Sequence, residues 1–295
     1  MAWRQLRIRT RHPEFADELL LAQGAQAVSF VDAVDDPVLE PAPGETPLWP
    51  NTVTLGLFAE DADLEPVVAC LRELLPDGAD IGVDEELIED QDWIRIWLKD
   101  CPPLKFGERL WVVPHEKVGE VTQPDAVLLR LDPGLAFGTG THPTTALCLD
   151  WLSEQALDGR EVLDYGCGSG VLAIAALLLG AAHADCVDID PQALIATRNN
   201  AADNGVGERV DAVLPDAYVT RPADVVVANI LAGPLVELAP RLAEATRPGG
   251  RIVLAGLLDR HAEEVHQAYA PWFDFDADVS REGWTRVSGR RKASD

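Results

Sequence analysis

No stretch of the chain is apolar for long. The longest run, Val171 to Ala182, is twelve residues, against the roughly 20 needed to span a bilayer. The opening residues hold no apolar segment of the kind a secretory leader carries, so neither a membrane nor a secreted protein is expected. Lysine is scarce, at positions 99, 105, 117 and 292 only. With 24 basic residues against 50 acidic ones the net charge is −26. A surface that negative repels phosphate backbones, which argues against direct nucleic-acid binding and for a basic partner. An acidic, lysine-poor surface also suits high salt or reflects plain compositional bias, and both readings stand at this stage. The five cysteines are odd in number and include no Cys-x-x-Cys pair, which points to reduced thiols and a cytoplasmic setting. No histidine spacing suggests a metal site, no lysine precedes Ser or Thr as in a P-loop, and Gly-x-Ser-x-Gly is absent.

What is there is the composition of a folded protein, 47% hydrophobic and 25% charged, long enough at 295 residues for two domains. The first ninety residues read as two β-α-β units. Leu6 and Ile8 alternate with arginines as a strand, and Pro13 opens a helix that runs to Gly24. Strands over 27–34 and 53–57 follow, separated by a Pro/Gly-rich loop from Pro37 to Pro50. Leu64, Val67, Val68, Leu71, Leu74 and Leu75 then fall at helical spacing, ahead of a strand at 81–87. The order βαββαβ is ferredoxin-like. Residues 91–109 read as a connector, with Trp93, Ile94, Trp97 and Leu98 forming an apolar face. From 110 onwards short apolar strands alternate with helices, the pattern of a doubly wound, mostly parallel α/β sheet. Its strands are expected at 161–165, 185–189, 224–228 and 251–256, its helices at 170–180, 191–204, 231–247 and 259–270, with a two-stranded hairpin at the end. A ligand belongs beyond the carboxyl ends of such strands.

The strongest local signal is Val162-Leu-Asp-Tyr-Gly-Cys-Gly-Ser-Gly-Val-Leu-Ala173. A buried strand ends at Asp164, and Gly166, Gly168 and Gly170 lead into a helix; without Cβ atoms the backbone turns sharply and a ligand comes close. The next strand ends at Asp188, where a carboxylate can accept from both ribose hydroxyls. Together these imply a nucleoside-containing cofactor. Gly168-Ser-Gly170-Val-Leu-Ala173 also fits a dinucleotide fingerprint, so a nicotinamide-dependent oxidoreductase is the alternative. Asp164 speaks against it: a carboxylate beside the loop repels a pyrophosphate and suits a cofactor with an amino group, unless it only orders the turn. S-adenosylmethionine has such a group and no phosphate. A third element is Asp224-Val-Val-Val-Ala-Asn229, which sets a lone amide at the sheet edge. Asn229 there either accepts from an amine and steers its lone pair towards a sulfonium methyl, or caps the next helix.

Asp164 to Gly170, Asp188 and Asn229 together resemble the class I S-adenosylmethionine-dependent methyltransferases. Two longer strings, Leu131-Asp-Pro-Gly-Leu-Ala-Phe-Gly-Thr-Gly-Thr-His-Pro-Thr-Thr145 and Val227-Ala-Asn-Ile-Leu-Ala-Gly-Pro-Leu235, closely resemble the PrmA family. That resemblance runs over essentially the whole chain. It implies methylation of the α-amino group and lysine ε-amino groups of ribosomal protein L11, a protein of the large subunit. It also implies cofactor contacts at Thr145, Gly166, Asp188 and Asn229, and Gly168 joins them as a glycine of the loop. Thr145 would meet the cofactor's carboxylate near a helix N-terminus; taken alone it would be an ordinary first-turn threonine. His142 reads as a loop or cap residue rather than a base, Cys167 as a small filler and Ser169 as part of the turn. Gly138 and Gly140 would let their loop close over the cofactor.

Methyltransferases acting on planar amides or bases carry an aromatic residue after the fourth strand's Asn-Pro-Pro. This chain has Asn229-Ile-Leu-Ala instead. An aliphatic amine has no π-face to stack on, so the missing ring favours a lysine or N-terminal amine over DNA, RNA or glutamine. Between Glu60 and Asp92 thirteen acids face one base, Arg72. A lysine-rich ribosomal protein would be steered to such a surface, so residues 1–90 are expected to recognise substrate and 110–295 to supply the chemistry. A non-catalytic ribosome-assembly factor remains a third reading.

Overall fold

The computed structural model describes residues 3–34, 48–49, 51–76, 82–88, 101–132 and 142–293. The loop from Pro37 to Pro50 apart from residues 48–49, the connector's apolar face and the glycines at 138 and 140 lie outside them. The chain divides into two compact units, Met1–Asp92 and Trp93–Asp295.

In the first unit β1 (Trp3–Arg9), α1 (Pro13–Ala22), β2 (Ala27–Asp32), β3 (Thr52–Ala59), α2 (Glu65–Leu74) and β4 (Gly82–Ile88) follow one another. The sheet order is β2-β3-β1-β4, all pairs antiparallel, which is the expected ferredoxin-like arrangement. Leu6 and Ile8 of β1 are fully buried against Leu20 of α1 and Leu71 of α2. The apolar stripe of α2 is narrower than its spacing suggests. Leu64, Val67, Leu71 and Leu75 are buried, whereas Leu74 is 49% exposed, because it falls on the helix flank away from the sheet.

The second unit opens with a small sheet, β5 (Leu104–Phe106), β6 (Leu110–Val113) and β7 (Val127–Arg130). β5 falls within the stretch read from sequence as connector; its three residues are too few for alternation to reveal. After α3 (Pro143–Ser153) come β8 (Glu161–Tyr165), α4 (Val171–Leu178), β9 (His183–Val187), α5 (Pro191–Asp203), β10 (Val210–Val213), β11 (Ala223–Asn229), α6 (Ala232–Glu237), α7 (Ala239–Ala245), β12 (Thr246–Leu258), α8 (Ala262–Tyr269), β13 (Phe273–Phe275), β14 (Val279–Arg281) and β15 (Trp284–Arg291). The main sheet runs β10-β9-β8-β11-β12-β15-β13, with β14 paired to β15. Its first five strands are parallel, and β15 returns antiparallel against β12.

Three expectations need correction. The edge strand β10 escapes a pattern search because Val210-Asp-Ala-Val offers two valines in four residues. The helix expected over 231–247 is broken at Leu238, since Pro240 in the first turn of α7 has no amide to continue the ladder. The terminal hairpin has three strands, not two.

Successive residues of the central strands serve opposite cores, as a sheet covered on both faces requires. Val162, Val225, Val227 and Val253 face one layer, with Leu149 of α3 and Ile174 of α4. Leu163, Val226, Ala228 and Leu254 face the other, with Leu235 of α6 and Tyr269 of α8. Tyr269 is fully buried, and its hydroxyl donates to the Leu235 carbonyl at 2.8 Å, tying α8 to the helix that follows Asn229. Tyr269→Phe strands that carbonyl, so denaturant melts should show a loss of about 1–2 kcal/mol. An unchanged midpoint and slope would show that the hydroxyl contributes nothing.

Candidate functional site

The carboxyl ends of β8, β9 and β11 meet at one place. The glycine loop leaves β8 with φ of +81° at Gly166, +54° at Gly168 and +78° at Gly170, a left-handed region that side chains other than glycine rarely enter. Neighbouring strands and helices fix it there. Gly166 and Cys167 donate their amides to the Val187 carbonyl at 2.7 and 3.2 Å. Thr197 and Asn200 of α5 donate to the carbonyls of Gly168 and Ser169 at 3.0 and 2.8 Å. Asp188 closes the arrangement: Oδ2 accepts the Gly168 amide at 2.8 Å and Oδ1 the Asp190 amide at 3.0 Å. Its carboxylate is therefore held rigidly, with lone pairs remaining on both oxygens. Asp190, not Asp188, caps α5 through the Gln192 amide.

Asn229 stands at the end of β11. Its Nδ2 donates to Thr145 Oγ1 at 3.3 Å, while its buried Oδ1 has no hydrogen-bond partner among the described residues. The cap of α6 is Leu231, so the reading of Asn229 as a helix cap is not what the fold uses. Thr145 is 1% exposed in the first turn of α3. It touches Asn229 from behind and does not line the cavity, whereas its neighbour Thr144 and the capping residue His142 do. The His142 ring accepts the Thr144 amide at 3.3 Å and lies 2.7 Å from the Thr144 hydroxyl. Burial holds its pKa below the usual histidine value, so at neutral pH the ring is uncharged.

The cavity encloses about 500 Å³, a volume ordinary for small-molecule sites. Gly166, Gly168, Asp188 and Asn229 line it, with Tyr165, Ile189, Leu231, Leu238 and Trp284. Its described lining holds one carboxylate and neither Lys nor Arg. Asp164 is not part of it. That carboxyl is completely buried behind the loop, where Oδ2 accepts the Ala173 amide at 3.1 Å. Of its two readings the structure carries the second: it orders the turn from within. Burial raises its pKa to about 7, with the Ala173 amide pulling down and Asp188 adding to the rise.

With this geometry the whole chain can be compared with known proteins. Residues 2–292 match the family PrmA, ribosomal protein L11 methyltransferase. The chain belongs to this family. A ribosomal protein L11 methyltransferase of Marinobacter nauticus is 53% identical over 299 residues, covering 99% of each chain. One from Pseudomonas putida strain GB-1 is 54% identical over 296 residues, covering 99% of this chain and all of that one. Among solved structures, the ribosomal protein L11 methylase of Lactobacillus delbrueckii subsp. bulgaricus superposes with a TM-score of 0.59 at 32% identity, covering 65% of this chain and 100% of that one. The chain is thus a PrmA-family methyltransferase with the class I fold and S-adenosylmethionine as methyl donor. The cavity fits that donor. A cofactor with ribose hydroxyls and no phosphate suits a described lining with one carboxylate, Asp188, and neither Lys nor Arg.

Sequence reasoning missed Trp284, His142 and Thr144 as cavity residues and Thr197 and Asn200 as supports of the loop. A lone tryptophan in a terminal hairpin carries no local pattern, and its ring meets that of His142 edge-on at 4.9 Å only through the fold. Asp164 yields a prediction with a definite sign. Its folded pKa near 7 lies above the unfolded 3.8, so its contribution is intact in acid and is lost as pH rises through about 7. Asp164→Asn removes that loss. The variant's melting temperature relative to the parent should climb between about pH 4 and pH 7 and level off above that; a flat difference would refute the assignment.

Proposed function

We propose that the enzyme transfers methyl groups from S-adenosylmethionine to the N-terminal α-amino group and lysine ε-amino groups of ribosomal protein L11, in the cytoplasm. The observation that carries the chemistry is Asn229 at the edge of a mostly apolar cavity, with a buried Oδ1 that has no hydrogen-bond partner among the described residues. A buried acceptor without a donor is costly, and an incoming amine supplies one. The bound cofactor contributes a methyl group already activated on sulfur. The chain's own residues then have to position and desolvate. Asp188 holds the ribose with the lone pairs that the Gly168 and Asp190 amides leave free. Gly166 and Gly168 admit the cofactor to the backbone. Thr145 acts at one remove, fixing the Asn229 amide so that Oδ1 is the atom presented. Asn229 accepts one N–H of the amine and turns its lone pair towards the methyl carbon. Ile230, Leu231 and Leu238 surround the acceptor with apolar surface, which disfavours the ammonium form and helps the amine arrive neutral. Trp284 adds an aromatic face, the surface that methylated ammonium groups prefer.

Intact-mass analysis of free large-subunit proteins after incubation with enzyme and S-adenosylmethionine should show gains in multiples of one methyl on L11 alone. Asn229→Ala should lower that rate by about a hundredfold or more while cofactor affinity changes far less. Mass gain on another protein, or an undiminished rate in the variant, would sink the reading; cofactor binding without any transfer would favour an assembly factor.

Residues 1–90 we assign to substrate recognition, supported by their acidity and by the basic character of ribosomal proteins in general. Residues 91–109 are proposed as connector and 110–295 as catalytic domain. A fragment spanning 100–295 should bind cofactor as the whole chain does yet methylate L11 poorly, with the defect in KM. Full activity in the fragment would remove the N-terminal unit from recognition.

A further inference from the structure

Charge on this chain is distributed unevenly at a place unrelated to the cofactor cavity. At the opposite, amino-terminal edge of the parallel strands, four arginines converge on a second cavity of about 310 Å³. Arg160 immediately precedes β8, Arg247 and Arg251 belong to the first part of β12, and Arg290 to β15. Arg251 and Arg290 are direct cross-strand partners. Like charges at one register position destabilise a strand pair; Asp274 of β13, opposite Arg290 on its other side, offsets this for Arg290 but leaves Arg251 and Arg290 side by side.

The nearby carboxylates do not balance the cluster. Asp224 accepts the Glu161 amide and Arg247 Nη1, each at 2.9 Å, and lies 3.4 Å from Arg160 Nη1. One carboxylate is thus shared by two guanidinium groups. Arg251 pairs with Asp276 at 2.5 Å. Arg290 Nη1 donates to the Gly249 carbonyl at 3.2 Å, and among the described residues no carboxylate lies within ion-pair distance of it. Asp274 is the cross-strand partner of Arg290 on the β13 side, so four guanidinium groups face three carboxylates around one polar cavity, in a chain whose net charge is −26.

We propose that this cavity is a phosphate-binding site, held by Arg160, Arg247 and Arg290. The local excess of positive charge, in a cavity lined by four guanidinium groups and one carboxylate, calls for an anionic ligand. Guanidinium forks from three separate elements suit the several acceptor oxygens of a phosphate group. The shared chemistry admits two sources, a free phosphate anion or the phosphodiester chain of RNA. The length of β8 puts the site roughly 17 Å from the glycine loop, so a ligand here anchors and does not react. The global negative charge repels anions, which makes saturable binding of one a local property.

The test uses the intact protein at low ionic strength. Pyrophosphate is titrated by calorimetry and a short fluorescein-labelled RNA by anisotropy, beside Arg247→Ala/Arg290→Ala and an Arg130→Ala control. Pyrophosphate should bind saturably, at least about tenfold more weakly in the double variant and equally in the control. RNA displaced by pyrophosphate identifies a polymer as the source of the phosphate; pyrophosphate binding with none by RNA identifies a free anion. S-adenosylmethionine affinity within about twofold of the parent certifies that the double variant is folded, and Arg290→Gln alone replaces it otherwise. No saturable binding of either probe, or equal binding to parent and double variant, overturns the proposal.

Discussion

The site depends on one steric constraint, the wedging of Ile230 between two glycines. A Cβ on Gly166 would come within 2.2 Å of Ile230 Cγ2, and one on Gly256 within 2.4 Å of the Ile230 carbonyl oxygen. The absence of both Cβ atoms lets the end of β11 lie between the loop after β8 and the bend in β12. That bend is where pairing with β15 shifts register, between Leu254 and Leu257, the behaviour expected of a glycine in a strand at a close backbone approach. Ile230 in turn donates its amide to Ala255 at 3.1 Å. Asn229, one residue earlier, can therefore take only a narrow range of positions, and its hydrogen bond to Thr145 sets the rotation that remains.

The same economy governs the glycine loop. Loop closure, α5 packing and cofactor recognition would ordinarily demand separate residues, yet Asp188 serves the first and is proposed for the third. A carboxylate that already accepts two backbone amides needs no reorganisation when a ligand arrives, and preorganised polar groups are the ones that contribute most to recognition. Asp164 does the complementary work from inside. Its partly satisfied, fully buried carboxyl is an expense to stability that a neutral side chain would avoid, and the loop's conformation is what it secures.

How much of this could be read from the sequence follows from what each feature rests on. Strands with alternating or continuous apolar residues, and the glycines leading from β8 into α4, are local patterns, and they led to the right fold and to Gly166, Gly168, Asp188 and Asn229, which line one cavity at the carboxyl edge of the sheet. Features that need a partner distant in sequence stayed hidden. Trp284 reaches the cavity only because β15 returns antiparallel beside β12, and Thr145 lies behind Asn229 only because α3 packs across the sheet's end. The arginine cluster is the sharpest case. Residues 160, 247, 251 and 290 are scattered along a chain whose average charge is strongly negative, and no average over sequence reveals them as neighbours.

The two ends of the parallel sheet consequently present opposite environments. At the carboxyl edge a cavity has one fixed carboxylate, one free amide oxygen and apolar walls. Ribose hydroxyls can donate to the carboxylate there, and a neutral amine to the amide oxygen, while a phosphate would gain from neither. At the amino edge the balance is reversed, with guanidinium groups in excess. A surface uniformly acidic enough to attract a basic protein would repel everything anionic in that protein's surroundings. Concentrating positive charge at one edge removes the conflict locally, and the sheet's own length keeps that charge from disturbing the cofactor site. The polarity of the sheet thus allows a chain of large net negative charge to offer sites of both signs, each insulated from the other by the apolar cores on its two faces.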